Sequence, residues 1–112
     1  MSMPAFKKLM NHTLILKKLK RNHSGDFTVL ASSTIKGHVE YGNHLIEKSN
    51  DEKIMCTAVI FLLDDCGIDI NHENWMIDQT LPYSRPGMEV IKINPIDDPQ
   101  TGNTHHYEID VR

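Results

Sequence analysis

The feature that most constrains this chain is the run IMCTAVIFLL at Ile54–Leu63, the longest apolar stretch in the sequence, interrupted only by Thr57. Read as a strand, it has two apolar faces: Met55, Val59, Phe61 and Leu63 on one, Ile54, Ala58, Ile60 and Leu62 on the other. Such a strand is covered from both sides and belongs at the centre of a packed sheet or barrel. A buried helix is the competing reading. The β-branched and aromatic content, and the stop at Asp64-Asp65-Cys66-Gly67, favour the strand. The run is also too short to cross a bilayer.

The flanking pattern is consistent with a sheet. Leu14-Ile15-Leu16 followed by alternating Lys and Leu gives a strand over His12–Lys20. The turn signal Asn22-His23-Ser24-Gly25-Asp26 leads into a short strand at Phe27–Leu30, making a hairpin. A helix over 6–19 is the alternative at this end. Ser33–Tyr41 alternates cleanly, with Ile35, Gly37, Val39 and Tyr41 on the inner face, and Gly37 marks a bulge or a close backbone approach. Gly42–Lys53 (GNHLIEKSNDEK) reads as a long polar connection before the central strand, well beyond ordinary hairpin length, and is the best functional candidate in the chain. Further strands are expected at Asn74–Thr80, Met88–Ile93 and Thr104–Val111, with a loop at Leu81–Gly87. The closing strand would turn His105, Tyr107, Ile109 and Val111 inward. Residues 1–11 read as a flexible lead-in with at most a helical turn through Phe6, Leu9 and Met10.

The expected fold is therefore all-β: a small closed or partly open barrel of six to seven short strands with one long inter-strand loop, forming a single domain over 12–112. A length of 112 residues suits one core. Hydrophobic residues at 39% exclude wholesale disorder, and aromatics at 6% argue against a base-stacking surface. No secretion signal or membrane span is read, so the glycosylation patterns Asn11-His12-Thr13 and Asn22-His23-Ser24 are taken as chance matches. Cys56 is expected in the core rather than in a disulfide with Cys66.

The net charge of −3 conceals an asymmetry. Residues 1–25 carry six cations (Lys7, Lys8, Lys17, Lys18, Lys20, Arg21) and no acid; the rest holds six cations against all 15 acids, a balance of −9. The basic strand Lys17, Lys18, Lys20, Arg21 is a candidate partner-binding surface, and a solvated strand face is its bland counterpart.

Signatures of catalysis are lacking. His38-Val39-Glu40 matches half of a zinc deaminase motif, without the Pro-Cys-x-x-Cys half. His105 and His106, adjacent in a strand, are expected on opposite faces and so unable to share one metal. Asp64, Asp65, Asp69 and Asn71 fail the spacing of a calcium loop and read as a solvated turn. There is no phosphate loop and no nucleophile elbow. Trp75 is expected as a core or subunit-interface anchor. No catalytic residue, metal or cofactor is expected.

One resemblance draws these parts together. Asn11-His12-Thr13 with the basic first strand, Ile35-Lys36-Gly37-His38-Val39-Glu40, the long connection, Ala58-Val59-Ile60-Phe61-Leu62, Met88-Glu89-Val90-Ile91-Lys92-Ile93 and His105-His106-Tyr107-Glu108-Ile109 follow one another in a layout that resembles the head-closure, or stopper, proteins of long-tailed bacteriophages and prophages. The resemblance covers about residues 12–112, and its motifs are soft. It implies a β-barrel that forms a homo-oligomeric ring in the virion neck, assembled in the host cytoplasm. It also implies three partners: a portal-adaptor ring protein above, a tail-completion or tail tube protein below, and packaged double-stranded DNA in the channel. Carried onto this chain, the plug loop is Asn43, His44, Leu45, Ile46, Glu47, Lys48, Ser49, Asn50, Asp51 and Glu52. Its mixed charges imply steric closure rather than a phosphate clamp. A tail-completion or terminator protein, a small β-barrel nucleic-acid-binding module and, last, a metal-dependent enzyme using His38 and Glu40 are the alternatives.

Overall fold

A computed structural model describes residues 3–48 and 51–112. It contains one short helix, α1 (Met3–Lys7), and six strands: β1 (His12–Arg21), β2 (Phe27–Glu47), β3 (Lys53–Leu63), β4 (Trp75–Leu81), β5 (Arg85–Asp97) and β6 (Thr104–Val111). All neighbours are antiparallel, in the ring order β1-β2-β3-β6-β5-β4. The ring is nearly closed but uneven. Its weakest seam joins β4 to β5, where only Met76↔Glu89, Ile77↔Met88 and Gln79↔Arg85 pair.

The interior is filled by side chains that alternate inward, including Leu14, Leu16, Ile60, Leu62, Ile77, Met88, Ile109 and Val111. Trp75 is a core residue, and its indole N–H donates to the His72 carbonyl at 3.0 Å. Cys56 is fully buried, as its apolar setting predicts, while Cys66 is partly buried and unbridged.

The central run is a strand, but it is not covered on both faces. Ile54, Cys56, Ala58, Ile60 and Leu62 are buried, whereas Val59, Phe61 and Leu63 are half-buried and Met55 is exposed. A barrel wall has one interior, so the second apolar face is covered only where other elements reach it. The N-terminal segment is one of these. It forms α1 and a following turn, where the sequence allows a helical turn through Phe6, Leu9 and Met10, with Phe6 and Met10 buried and Phe6 set 4.5 Å from the His106 ring.

The larger departure is β2. The expected strands at Phe27–Leu30 and Ser33–Tyr41, and half of the expected loop, are one strand of 21 residues. At about 3.3 Å per residue it would reach some 70 Å if straight, yet the longest dimension of the molecule is 45 Å. β2 therefore curves strongly, helped by the register break between Tyr41 and His44. It also changes partner along its length: Phe27–Gly37 pair with β1, and Gly37–Glu47 pair with β3. Gly37 stands at the hand-over, paired to His12 on one side and Leu62 on the other. A Cβ there would sit 2.7 Å from Leu14 Cδ1 and 2.9 Å from the Phe61 carbonyl, so the close approach expected from the sequence is real.

Candidate functional site

The strand hand-over creates two hairpins that leave the barrel wall. The first is the β2–β3 arm. The sequence reading of Gly42–Lys53 as a long loop is corrected here: β2 continues to Glu47, β3 starts at Lys53, and these two residues pair. The connection is only residues 48–52, closed by the Lys48 N–H donating to the Glu52 carbonyl at 2.8 Å. Polarity misled the sequence reading, because most of the arm is solvated and a strand in water needs no apolar alternation. Asn43, His44, Leu45, Ile46 and Glu47 are strand residues; Lys48, Asp51 and Glu52 belong to the turn; Ser49 and Asn50 lie outside the described residues. Asp51 has φ 60°, a left-handed conformation that aspartate tolerates better than most residues. The longest connection in the described chain is instead Asp64–Asn74, between β3 and β4.

The arm is fastened at its root. Ile54, Cys56 and Ile91 form a second small core, with Ile46 packed against it. Ile91 is available because β5 changes register between Val90 and Lys92. The two consecutive apolar residues then serve two cores, Val90 the barrel and Ile91 the arm. A polar clasp lies beside it: His44 Nε2 is 2.8 Å from Asp110 Oδ1, and Asn94 Nδ2 donates to Asp110 Oδ2 at 3.0 Å. The hydrogen bond to Asp110, aided by the Gly42 carbonyl, pushes the His44 pKa up. Neither Ile91 nor the His44–Asp110 pair was singled out from sequence. The adjacent Val90-Ile91 was the only available signal of a bulge.

The second hairpin joins β1 to β2 through Asn22–Asp26. Its strand ends are exposed: every residue from Lys20 to Thr34 is open to solvent, including Phe27, Val29 and Leu30. The four basic residues proposed from sequence do not act alike. Lys17 is committed within the chain, 2.6 Å from Asp78 Oδ2. Burial pushes the Asp78 carboxyl up, but the Gly87 N–H at 2.7 Å and the Lys17 ammonium outweigh it and hold the pKa below its ordinary value. Arg21 lies over the Phe27 ring at 4.7 Å. Lys18 and Lys20 make no ion pair among the described residues. Lys20 and Arg21 are exposed on the hairpin, and Lys18 is half-buried at its root.

On the outer wall, α1 lies beside a histidine cluster. The His12 and His38 rings are 4.9 Å apart, and His106 packs against Phe6 and Phe61. The expectation that His105 and His106 separate to opposite faces fails: their Nδ1 atoms are 2.9 Å apart. They lie at the start of β6, where the register with β5 breaks between Ile96 and Asp97, and regular alternation does not hold there. His12 Nδ1 accepts the Val39 N–H at 3.1 Å, which requires a neutral ring, and burial together with His38 lowers its pKa. His38 lies 3.6 Å from Glu40, as strand spacing predicts. Among the described residues, no three His, Cys, Asp or Glu side chains converge to hold a metal ion. The Asp69–Asn71 segment is a turn, with the Asn71 N–H donating to Asp69 Oδ1 at 2.9 Å.

Tyr41, Gln79 and Arg85 form one more polar cluster in the wall. The Tyr41 hydroxyl hydrogen-bonds to Gln79, and the Arg85 guanidinium lies over the Tyr41 ring at 4.7 Å. Burial, reinforced by Tyr83, pushes the Tyr41 pKa up to about 12, so the hydroxyl keeps its proton and serves as a structural donor. Compared with known proteins, the chain matches no family model, no curated protein and no solved structure.

Proposed function

We propose that this protein is a structural subunit of a phage or prophage head-tail connector, forming a ring below the portal-adaptor complex, closing the DNA channel and presenting a surface for the tail. The observation that carries this reading is the β2–β3 arm. It is a hairpin fastened at its root by Ile54, Cys56 and Ile91 and by the His44–Asp110 clasp, with the paired Leu45 and Met55 open to solvent nearer its tip. A barrel filled with side chains leaves its outer surface and its hairpins as the working parts. The closing element is thus a paired arm rather than the long loop expected from sequence. The mixed charge of Glu47, Lys48, Asp51, Glu52 and Lys53 suits steric closure, since it offers phosphate no net attraction. The acidic body suits a conduit wall for the same reason.

The test uses DNA-filled, tail-less heads of a matching phage. A chain with Glu47–Lys53 replaced by Asn-Gly keeps the Ile46↔Ile54 pair and the small core but loses the tip. Wild type should cap the portal vertex and retain DNA, and the shortened chain should cap it and leak. Failure of both chains to bind heads would overturn the connector assignment. Binding of both to tail tubes instead would favour the tail-completion alternative.

A further inference from the structure

The structure presents two unpartnered surfaces whose properties are opposite. One is an open groove of about 1020 Å³ between α1 and the β5–β6 turn. Its apolar lining includes Leu9, Met10, Phe61 and Ile96, and Leu9 is 44% exposed. Its charged lining is Glu40, Asp64, Asp97 and Asp98, with no Lys or Arg among the described residues that form it. The other is the β1–β2 hairpin, with exposed Lys20 and Arg21 and half-buried Lys18 against a single acid, Asp26, and with Val29 and Leu30 each about half exposed.

We propose that a second copy of this chain occupies the groove, seating the tip of its β1–β2 hairpin between α1 and the β5–β6 turn. Three properties of the two surfaces favour this occupant. The groove is acidic and the hairpin basic, so each neutralises the other. The groove exposes Leu9, with Phe61 and Ile96 partly open beside it, and the hairpin exposes Val29 and Leu30. The hairpin also brings a strand with an unused edge: Phe27–Lys36 pair with β1 on one side and with no described strand on the other. Open, uncharged strand edges of this kind seek backbone partners. The segment from Phe27 to Ile35 contains no charged residue to discourage this.

None of the hairpin's residues lines the groove of its own chain. The contact joins two separate surfaces, and in the proposed ring it is head-to-tail: each copy offers a hairpin to one neighbour and a groove to the other. Repeated contacts of this type generate a ring when the rotation closes. The inference deepens the proposed ring and relies on that reading only for its setting, because the contact is a property of the isolated chain.

The test is a charge swap combined with a cross-link, using purified full-length protein without phage heads. In a Cys66→Ser background, chains carrying Leu30→Cys are mixed with size-tagged chains carrying Leu9→Cys at high protein concentration and low salt. A disulfide between the two chains is expected. A Glu47→Cys chain, with its cysteine on the arm, should fail to couple. Reversal of the hairpin (Lys18→Glu, Lys20→Glu, Arg21→Glu) or of the groove (Asp97→Lys, Asp98→Lys) should each lower the yield more than about tenfold, because like charges then face each other. Mixing the two reversed chains should restore it, which a merely misfolded variant could not do. The proposal is overturned if the Leu30→Cys and Leu9→Cys chains with unreversed charges do not couple, or if the reversals leave the yield unchanged. Protection of the hairpin by added duplex DNA in place of coupling would assign it to nucleic acid and overturn the proposal equally. Head binding plays no part in this readout, so the contact and the connector assignment can fail separately.

Discussion

The two hairpins share β2 and differ in almost everything else. The β2–β3 arm is polar in sequence yet fastened, with Ile46, Ile54, Cys56 and Ile91 packed together and His44 held by Asp110. The β1–β2 hairpin is richer in apolar residues at its tip yet joins neither hydrophobic core, leaving Phe27, Val29 and Leu30 about half exposed. Apolar content therefore does not report which hairpin the fold itself stabilises. It reports where the chain has surface still to bury, and by that measure the β1–β2 hairpin is the surface awaiting a partner.

Substitution at the shared strand should produce the largest effect. Gly37→Val places new atoms against Leu14, Leu62 and the Phe61 carbonyl where even a Cβ lies under 3 Å from all three. Overpacking at this point should cost about 3 kcal/mol and lower the urea midpoint for the whole domain. Next in size, Ile54→Ala should cost about 2 kcal/mol by opening the arm's small core. Its arm amides should exchange with deuterium faster while those of β1 stay protected. Leu30→Ser in the other hairpin should change stability by no more than about 0.5 kcal/mol in urea titration, because it removes no packing within the chain. A Leu30→Ser loss as large as that of Ile54→Ala would erase the distinction between the hairpins.

The smallest effect is a pH response of opposite sign at two histidines. His44 has a raised pKa, so its stabilising contribution is fully present below its ordinary value of 6.5 and is lost as pH rises through the folded value. His12 has a lowered pKa, so its contribution is present above 6.5 and is lost as pH falls through the folded value. NMR titration should place His44 above and His12 below an unstructured histidine. Acidification should thus tighten the arm's clasp while weakening the His12 contact with the Val39 N–H. His44→Gln should abolish the first response and leave the second.

Barrel strands were legible where one face is dry. Leu14 and Leu16, Val39, Ile60 and Leu62, and Ile109 and Val111 show the alternation that a single interior imposes. The reading failed where that constraint lapses. Ala31 and Ser32, between the two strands read from sequence, are exposed, so nothing in their order reveals that β2 runs on through them. Gly42–Glu47 failed for a related reason, since most of the arm faces water and its buried contact comes from distant Ile91. Register breaks defeated pattern reading in β5 and β6, where Val90 and Ile91 are both buried and His105 and His106 converge. For the candidate surfaces, residue identity was visible in sequence but pairing was not: that Lys17 is occupied by Asp78 while Lys18 and Lys20 make no ion pair among the described residues depends on β4, more than fifty residues away.

The length of β2 carries a mechanical consequence. One unbroken backbone holds the outward hairpin at one end and the arm at the other, with ladders to β1 and β3 on either side of Gly37. A force applied along a paired strand loads its ladder hydrogen bonds together in shear, whereas a force across it opens them singly. A neighbour gripping the hairpin would pull β2 along its own axis, against the resistance of both ladders at once. In the proposed ring the arm would then be tensioned through the same strand that meets the neighbour, and its stiffness would rise with assembly instead of being complete in the isolated chain.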